Sequence, residues 1–231
     1  MKSESIFTGF TDEAFKFFAE LEENNYRPWF TERKHIYENE ILNPLKALAV
    51  ALTPSFYEID SQMDFRPEKM LSRIYRDIRF SKDKSPYKNH MWVMFQRPFM
   101  KASDDWASFP GYYIEIGKDG INLGMGLFQA KSKIMAIYRD KVEYDQSYFR
   151  DITESLITTD GFTLGGEEYK RTINKNLSEY YQTWIQKKGI HLYKNIPLSN
   201  KTLYSNELIV YLENQFAPLH RFYDFLVDVC D

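Results

Sequence analysis

Apolar residues of this chain recur at helical spacing toward both ends and in short, bulky runs in the middle. Leu177, Tyr180, Tyr181, Trp184 and Ile185 fall at i, i+3, i+4, i+7 and i+8, one face of a helix. Leu208, Tyr211, Leu212, Phe216, Leu219, Phe222, Tyr223 and Leu226 keep that period, with Ser205 placed to cap and Pro218 predicting a kink. At the other end Thr11 precedes Asp12 and Glu13, acids that favour a helix N-terminus, and Phe15, Phe18 and Leu21 share a face. Asn24-Asn25 reads as the stop, because Asn tolerates a left-handed cap. Thr31 opens a second helix through Ile36, Ile41, Leu45 and Leu48, which Asn43-Pro44 either breaks or restarts.

The middle reads as sheet. Residues 91–95, 112–116 and 121–128 are short apolar runs, and Lys118-Asp119-Gly120 is a hairpin signal between the last two. Helical spacing returns over residues 132–140 and again at Tyr148, Ile152 and Leu156. This order predicts an α+β protein, a central antiparallel sheet with helices from both the N- and C-terminal parts packed around it. It is not the strand–helix alternation of a nucleotide-binding sheet. No Ser/Gly-rich linker or fixed-period repeat interrupts it, so residues 1–231 are expected to form a single domain.

Composition narrows the function classes. Hydrophobic residues make up 43% and aromatics 17%, ample for a core and unlike a disordered chain. The longest aliphatic run, residues 47–52, is far short of a membrane span, and no apolar stretch near the start suits a secretory signal. A single cysteine, Cys230, excludes an internal disulfide; the expected location is the reducing cytoplasm. A pI of about 5.9 argues against a dedicated nucleic-acid binder.

Against the net charge of −3, residues 73–88 carry six bases and only two acids, Asp77 and Asp83. Arginine forks match carboxylate or phosphate oxygens. Arg73, Arg76, Arg79, Lys84 and Lys88 are the candidate charges for a small anionic ligand, with Arg73 and Arg76 on one face if that stretch is helical. Ser81 and Ser85 would supply hydroxyls. Pro86 biases Ser85 towards an extended conformation. Asp77 would orient the arginines or act as a base, and Tyr87 would stack on a planar ligand or cover the core. Two other readings stand beside this one. The charges form internal ion pairs with acidic helices at the two ends, or the stretch is an interaction module for nucleic acid or an acidic partner.

Other constellations carry less. Gly124-Met125-Gly126 begins a dinucleotide pattern, but Gln129 stands where its third glycine belongs, and close packing within a strand is the expected use. His35, His90, His191 and His220 are scattered and show no metal-ligand spacing, so no metal site is expected. Ser85 and His90 lack a nucleophile-elbow motif. Asn24-Asn25-Tyr26-Arg27-Pro28-Trp29-Phe30 is a helix stop followed by two aromatics entering the core.

The stretches LEENNYRPWF, RIYRDIRFSKDKSPYK and LGMGLFQ, with Tyr169-Lys170-Arg171, Trp184 and the Pro218 region, resemble the domain of unknown function 2461 family along nearly the whole chain. The resemblance implies a soluble, mostly bacterial, single-domain α+β protein. It supplies no activity, cofactor or catalytic residue. One departure stands out: Thr172-Ile173-Asn174 occupies the place where a Pro and then a Gly are expected after Arg171.

Overall fold

The computed structural model describes residues 6–79, 82–98, 109–128 and 130–231. Its five-stranded antiparallel sheet has the order β1-β2-β3-β5-β4, from β1 (His90–Gln96), β2 (Gly111–Gly117), β3 (Gly120–Leu127), β4 (Thr163–Gly165) and β5 (Ile190–Pro197). With its helices this makes the expected α+β protein. The chain divides into two compact units. One comprises Met1–Phe95, Tyr113–Leu123 and Asn195–Gln215; the other comprises Gln96–Tyr112, Gly124–Lys194 and Phe216–Asp231.

In the first unit, α1 (Asp12–Glu23) buries Phe15, Phe18 and Leu21, as their spacing predicts. Thr11 stands at its N-cap, yet its hydroxyl donates to Glu40 Oε2 at 2.7 Å instead of accepting from the helix. Asn24 does not take the left-handed cap: its φ is −124°, and its side-chain amide donates to the Glu20 carbonyl at 2.9 Å. After α2 (Arg27–Glu32) and α3 (Lys34–Ile36), Tyr37–Leu42 widens into a π-helical turn that runs directly into α4 (Asn43–Ile59). Pro44 supplies the reason. It has no N–H to give the Glu40 carbonyl, and the Asn43 N–H reaches back to Glu38, one residue further than an α-helical step. The proline therefore changes the ladder without ending the helix. Trp29 and Phe30 enter the core as expected, and Phe56 of α4 stacks on Phe95 of β1 at 3.8 Å.

Strand alternation gives this unit's part of the sheet two different faces. Met91, Val93, Phe95, Ile114, Ile116, Ile121 and Leu123 are buried, whereas His90, Trp92, Met94, Tyr113, Glu115 and Asn122 are half-buried on the other side. The β2–β3 hairpin turns through Lys118 and Asp119 alone, and Gly120 holds a φ of 123° that other residues rarely adopt.

The second unit is built around aromatic rings from α6 (Ser132–Tyr144), α7 (Gln146–Thr158), α8 (Glu179–Ile185) and α10 (His220–Cys230). Phe149 meets Trp184 at 5.2 Å and Phe225 at 5.4 Å, and Trp184 meets Phe222 at 5.5 Å, all edge-on. Gly126 serves close packing as expected, because a Cβ there would collide with the Ile190 carbonyl of β5. Gln129 lies outside the described residues.

α9 (Glu207–Phe216) and α10 are joined by a 3₁₀ turn at Ala217–Leu219, where Pro218 predicts a kink. Ser205 accepts the Glu207 N–H at 3.3 Å, as its capping position predicts.

Candidate functional site

The basic stretch is not helical. Residues 71–76 run antiparallel to residues 86–93 as an irregular ribbon. Leu71 bridges Val93 and Tyr75 bridges Tyr87. The Lys88 N–H donates to Ile74 O at 2.8 Å, and the Arg76 N–H to Pro86 O at 2.9 Å. Pro86 lacks a donor, so its carbonyl is the group it can offer the ribbon. The shared helical face anticipated for Arg73 and Arg76 is replaced by an extended segment.

Asn25 anchors this ribbon. Its side-chain amide donates to Tyr87 O at 2.9 Å, and its Oδ1 accepts the Tyr87 N–H at 3.1 Å. Tyr87 is 4% exposed and stacks on Phe30 at 4.1 Å, which places its ring in the core. The NNYRPWF and SPYK stretches therefore meet in space. Neither the spacing nor the composition of either segment announces that meeting.

The remaining candidates divide into two groups. At the tip, Arg79 forks onto Asp77 with bonds of 2.9 and 2.7 Å, and its backbone N–H adds a third. That embrace, with Arg73 beyond it, holds the Asp77 carboxyl down at about 2. So weak a base is a poor proton acceptor at neutral pH. Lys84 donates to Ile78 O at 2.7 Å, and Asp83 accepts the Ser85 N–H at 2.9 Å while pairing with Arg76 at 3.1 Å. Ser81 and its neighbour Phe80 lie outside the described residues.

The second group lies along the outer side of β1. The Lys88 ammonium sits 4.1 Å over the Trp92 ring. Burial pulls its pKa down, and Arg73 and then Arg76 pull it further. Among the described residues no carboxylate pairs with Lys88, and the Arg73 guanidinium has neither hydrogen bond nor ion pair. Arg76 reaches Tyr87 O with Nη2 at 3.3 Å and gives its remaining charge to Asp83.

Beside these cations stands a pair that sequence reasoning left unassigned. His90 Nε2 lies 3.8 Å from Glu115 Oε2, the two side chains 34% and 36% exposed. Asn89 Oδ1 sits 3.0 Å from His90 Nδ1, while its amide nitrogen faces Glu22 at 3.5 Å. With Asn89 Oδ1 as acceptor, His90 Nδ1 is the donor, which leaves Nε2 facing the Glu115 carboxyl. Burial pushes the Glu115 carboxyl up; burial, Lys88 and Arg76 push His90 down. The pair borders a cleft of about 280 Å³ whose other lining residues include Asn89, Lys118, Asn122 and Asn195. His90 was visible as a lone histidine; its partner lies on another strand, outside any local motif.

Among the described residues no group of His, Cys, Asp and Glu side chains is arranged to hold a metal ion, and no helix is long and apolar enough to cross a membrane. The family model described as "Conserved hypothetical protein (DUF2461)" matches residues 13–225. No curated protein matches the chain.

Proposed function

The chain belongs to the DUF2461 family of conserved hypothetical proteins, and we propose that it binds a small anionic ligand, a carboxylate or phosphate, at Arg73, Arg76 and Lys88. The observation that carries this reading is the half-buried Lys88 ammonium. It is crowded by two guanidiniums, and Glu115 attracts it only at a distance, with no carboxylate in ion-pair contact among the described residues. Like charges held together in a partly desolvated place repel one another, and an anion placed among them removes the repulsion. The purely structural reading has less support. The pairs at the tip, Arg79–Asp77 and Arg76–Asp83, are local, and Arg79 and Asp77 are 74% and 55% exposed. Exposed pairs contribute little to stability, because water screens them and ordering two long side chains costs entropy. A cytoplasmic setting belongs to the same proposal. Burial pushes the Cys230 thiol up to about 12, leaving it no thiolate chemistry at neutral pH.

A thermal-shift series with phosphate, sulfate, citrate and a sugar phosphate tests the proposal, because a ligand of the folded state raises the melting temperature. One anion class should raise the wild-type Tm. Arg73→Ala should abolish that rise with little change in the Tm of the free protein, since among the described residues Arg73 makes no hydrogen bond or ion pair and only its exposed, longer-range attraction to Asp77 is lost; Arg79→Ala should keep the rise. A rise that survives Arg73→Ala with Lys88→Met would move the ligand elsewhere. Binding only to an oligonucleotide, falling steeply with salt, would support the nucleic-acid alternative instead.

A further inference from the structure

The second unit holds a separate cleft of about 670 Å³, lined by Arg139, Glu168, Tyr169, Lys170, Arg171, Thr172, Ile173 and Lys188. We infer that this cleft is a binding site for a flat-ringed small molecule that carries a phosphate or carboxylate group, with Tyr169 facing the ring and Lys170, Arg171 and Arg139 facing the anion. The inference stands independently of the site on β1.

Arg139 provides the first argument. Its guanidinium is half-buried and donates to three carbonyls: Ile185 O at 2.9 Å, Met135 O at 3.0 Å and Lys187 O at 2.8 Å. Among the described residues no carboxylate pairs with it. Carbonyls orient a guanidinium but leave its charge uncompensated, and each terminal nitrogen keeps a second N–H beyond these bonds. The acids nearby are already engaged: Glu168 with Lys187 at 2.7 Å and Glu167 with Lys188 at 3.0 Å. Lys170 and Arg171 have no side-chain partner among the described residues. The cleft is therefore a basic pocket in a protein whose net charge is −3.

The second argument is preorganisation. The Gln186 amide holds the loop from both sides. Its Nε2 donates to the Tyr169 and Arg171 carbonyls, the latter at 2.8 Å, and its Oε1 accepts the Ile173 N–H at 3.2 Å. The Tyr169 N–H donates to the Gln186 carbonyl at 2.9 Å. A loop fixed at three successive points presents its side chains without the ordering cost that a mobile loop incurs on binding. The Tyr169 ring, 37% exposed, lies 5.3 Å from the Arg139 guanidinium and 5.9 Å from the Lys188 ammonium. An aromatic face beside cations suits a planar ligand with an anionic substituent.

Titration calorimetry at low salt with phenyl phosphate, inorganic phosphate and phenol tests this. Phenyl phosphate should bind about tenfold or more tightly than phosphate, and phenol should not bind measurably; tenfold corresponds to about 1.4 kcal/mol. Lys170→Ala with Arg171→Ala should weaken phenyl phosphate about tenfold while Tm stays unchanged, because neither side chain holds the fold. Tyr169→Leu should bring phenyl phosphate down to the affinity of phosphate. Arg73→Ala with Lys88→Met should leave the phenyl phosphate affinity as it is, whether or not that pair loses anions of its own. Equal phenyl phosphate affinity in the wild type and in the Lys170/Arg171 double variant would overturn the proposal. So would binding of an oligonucleotide with none of phenyl phosphate.

Discussion

His90 shows what a single side chain on the sheet imposes on the whole chain's response to pH. Its folded pKa is pushed below the ordinary 6.5 by burial, Lys88 and Arg76. Between the two values the unfolded chain holds the proton and the folded chain does not, so stability rises with pH across that window and falls on acidification from neutrality. Glu115 has the opposite sign. Burial raises its carboxyl above the ordinary 4.5, and stability falls as pH rises through its folded value. His191, pushed down by burial and Lys187, adds to the His90 slope. We expect His90→Gln to flatten the rise of Tm with pH just below 6.5 relative to wild type. An unchanged slope would show that His90 is not held neutral. Of this residue-scale detail, the sequence disclosed that Asp77 would orient its neighbouring arginine, whereas the Asp83–Ser85 contact emerged only in the structure. The grouping of Lys88, Trp92 and His90 was not anticipated, because the apolar run at 91–95 stops short of His90 and Lys88. Neither was Glu115, because nothing local distinguishes it from other surface acids.

At the scale of elements, the ribbon of residues 71–76 and 86–93 depends on Asn25 for its seat. Asn25→Ala leaves the backbone N–H of the buried Tyr87 without its acceptor, at a cost of about 1–3 kcal/mol. The loss should appear in denaturant unfolding, and the anion-dependent rise in Tm should shrink with it, because Arg76 and Lys88 ride on that ribbon. A variant as stable as wild type would mean that the Phe30–Tyr87 stack seats the ribbon alone. The same seat explains which elements were legible. Helices with a sustained apolar face, α1, α7, α8 and α10, follow from local spacing. The ribbon, β4 and β5 went unrecognised because each exists only through a distant partner. β4 is Thr163–Gly165, three residues ending in glycine, and it forms by pairing with Tyr193, Leu192 and His191. The π-helical turn was hidden for another reason. Pro44 announces that the ladder must change, but not whether the chain will break or widen.

The two compact units raise a question that belongs to the whole molecule. Neither is a continuous piece of chain: six segments alternate between them, beginning at Met1 in one and ending at Asp231 in the other. Two domains on a tether would each close on their own residues, and the chain would pass between them once. Here one unit cannot complete its share of the chain before the other has begun, so a state with one unit folded and the other unfolded must leave two segments fixed at both ends, either 96–112 and 124–194 or 113–123 and 195–215. Such a state loses the conformational freedom that makes unfolding favourable without releasing the whole chain. We therefore propose that the chain behaves as a single folding domain, as the absence of a linker or a repeat in the sequence suggests. Differential scanning calorimetry should show one transition whose calorimetric and van't Hoff enthalpies agree, and tryptophan fluorescence should report the same midpoint. The tryptophans make this a strict comparison, because Trp29 and Trp92 lie in the first unit and Trp184 in the second. Replacing both Trp106 and Trp184 with Phe leaves only Trp29 and Trp92, which report on the first unit, and the midpoint they report should still coincide with the calorimetric one. Two resolved transitions, or a fluorescence midpoint that separates from the calorimetric one in that variant, would show instead that the units unfold independently despite the alternation of their segments.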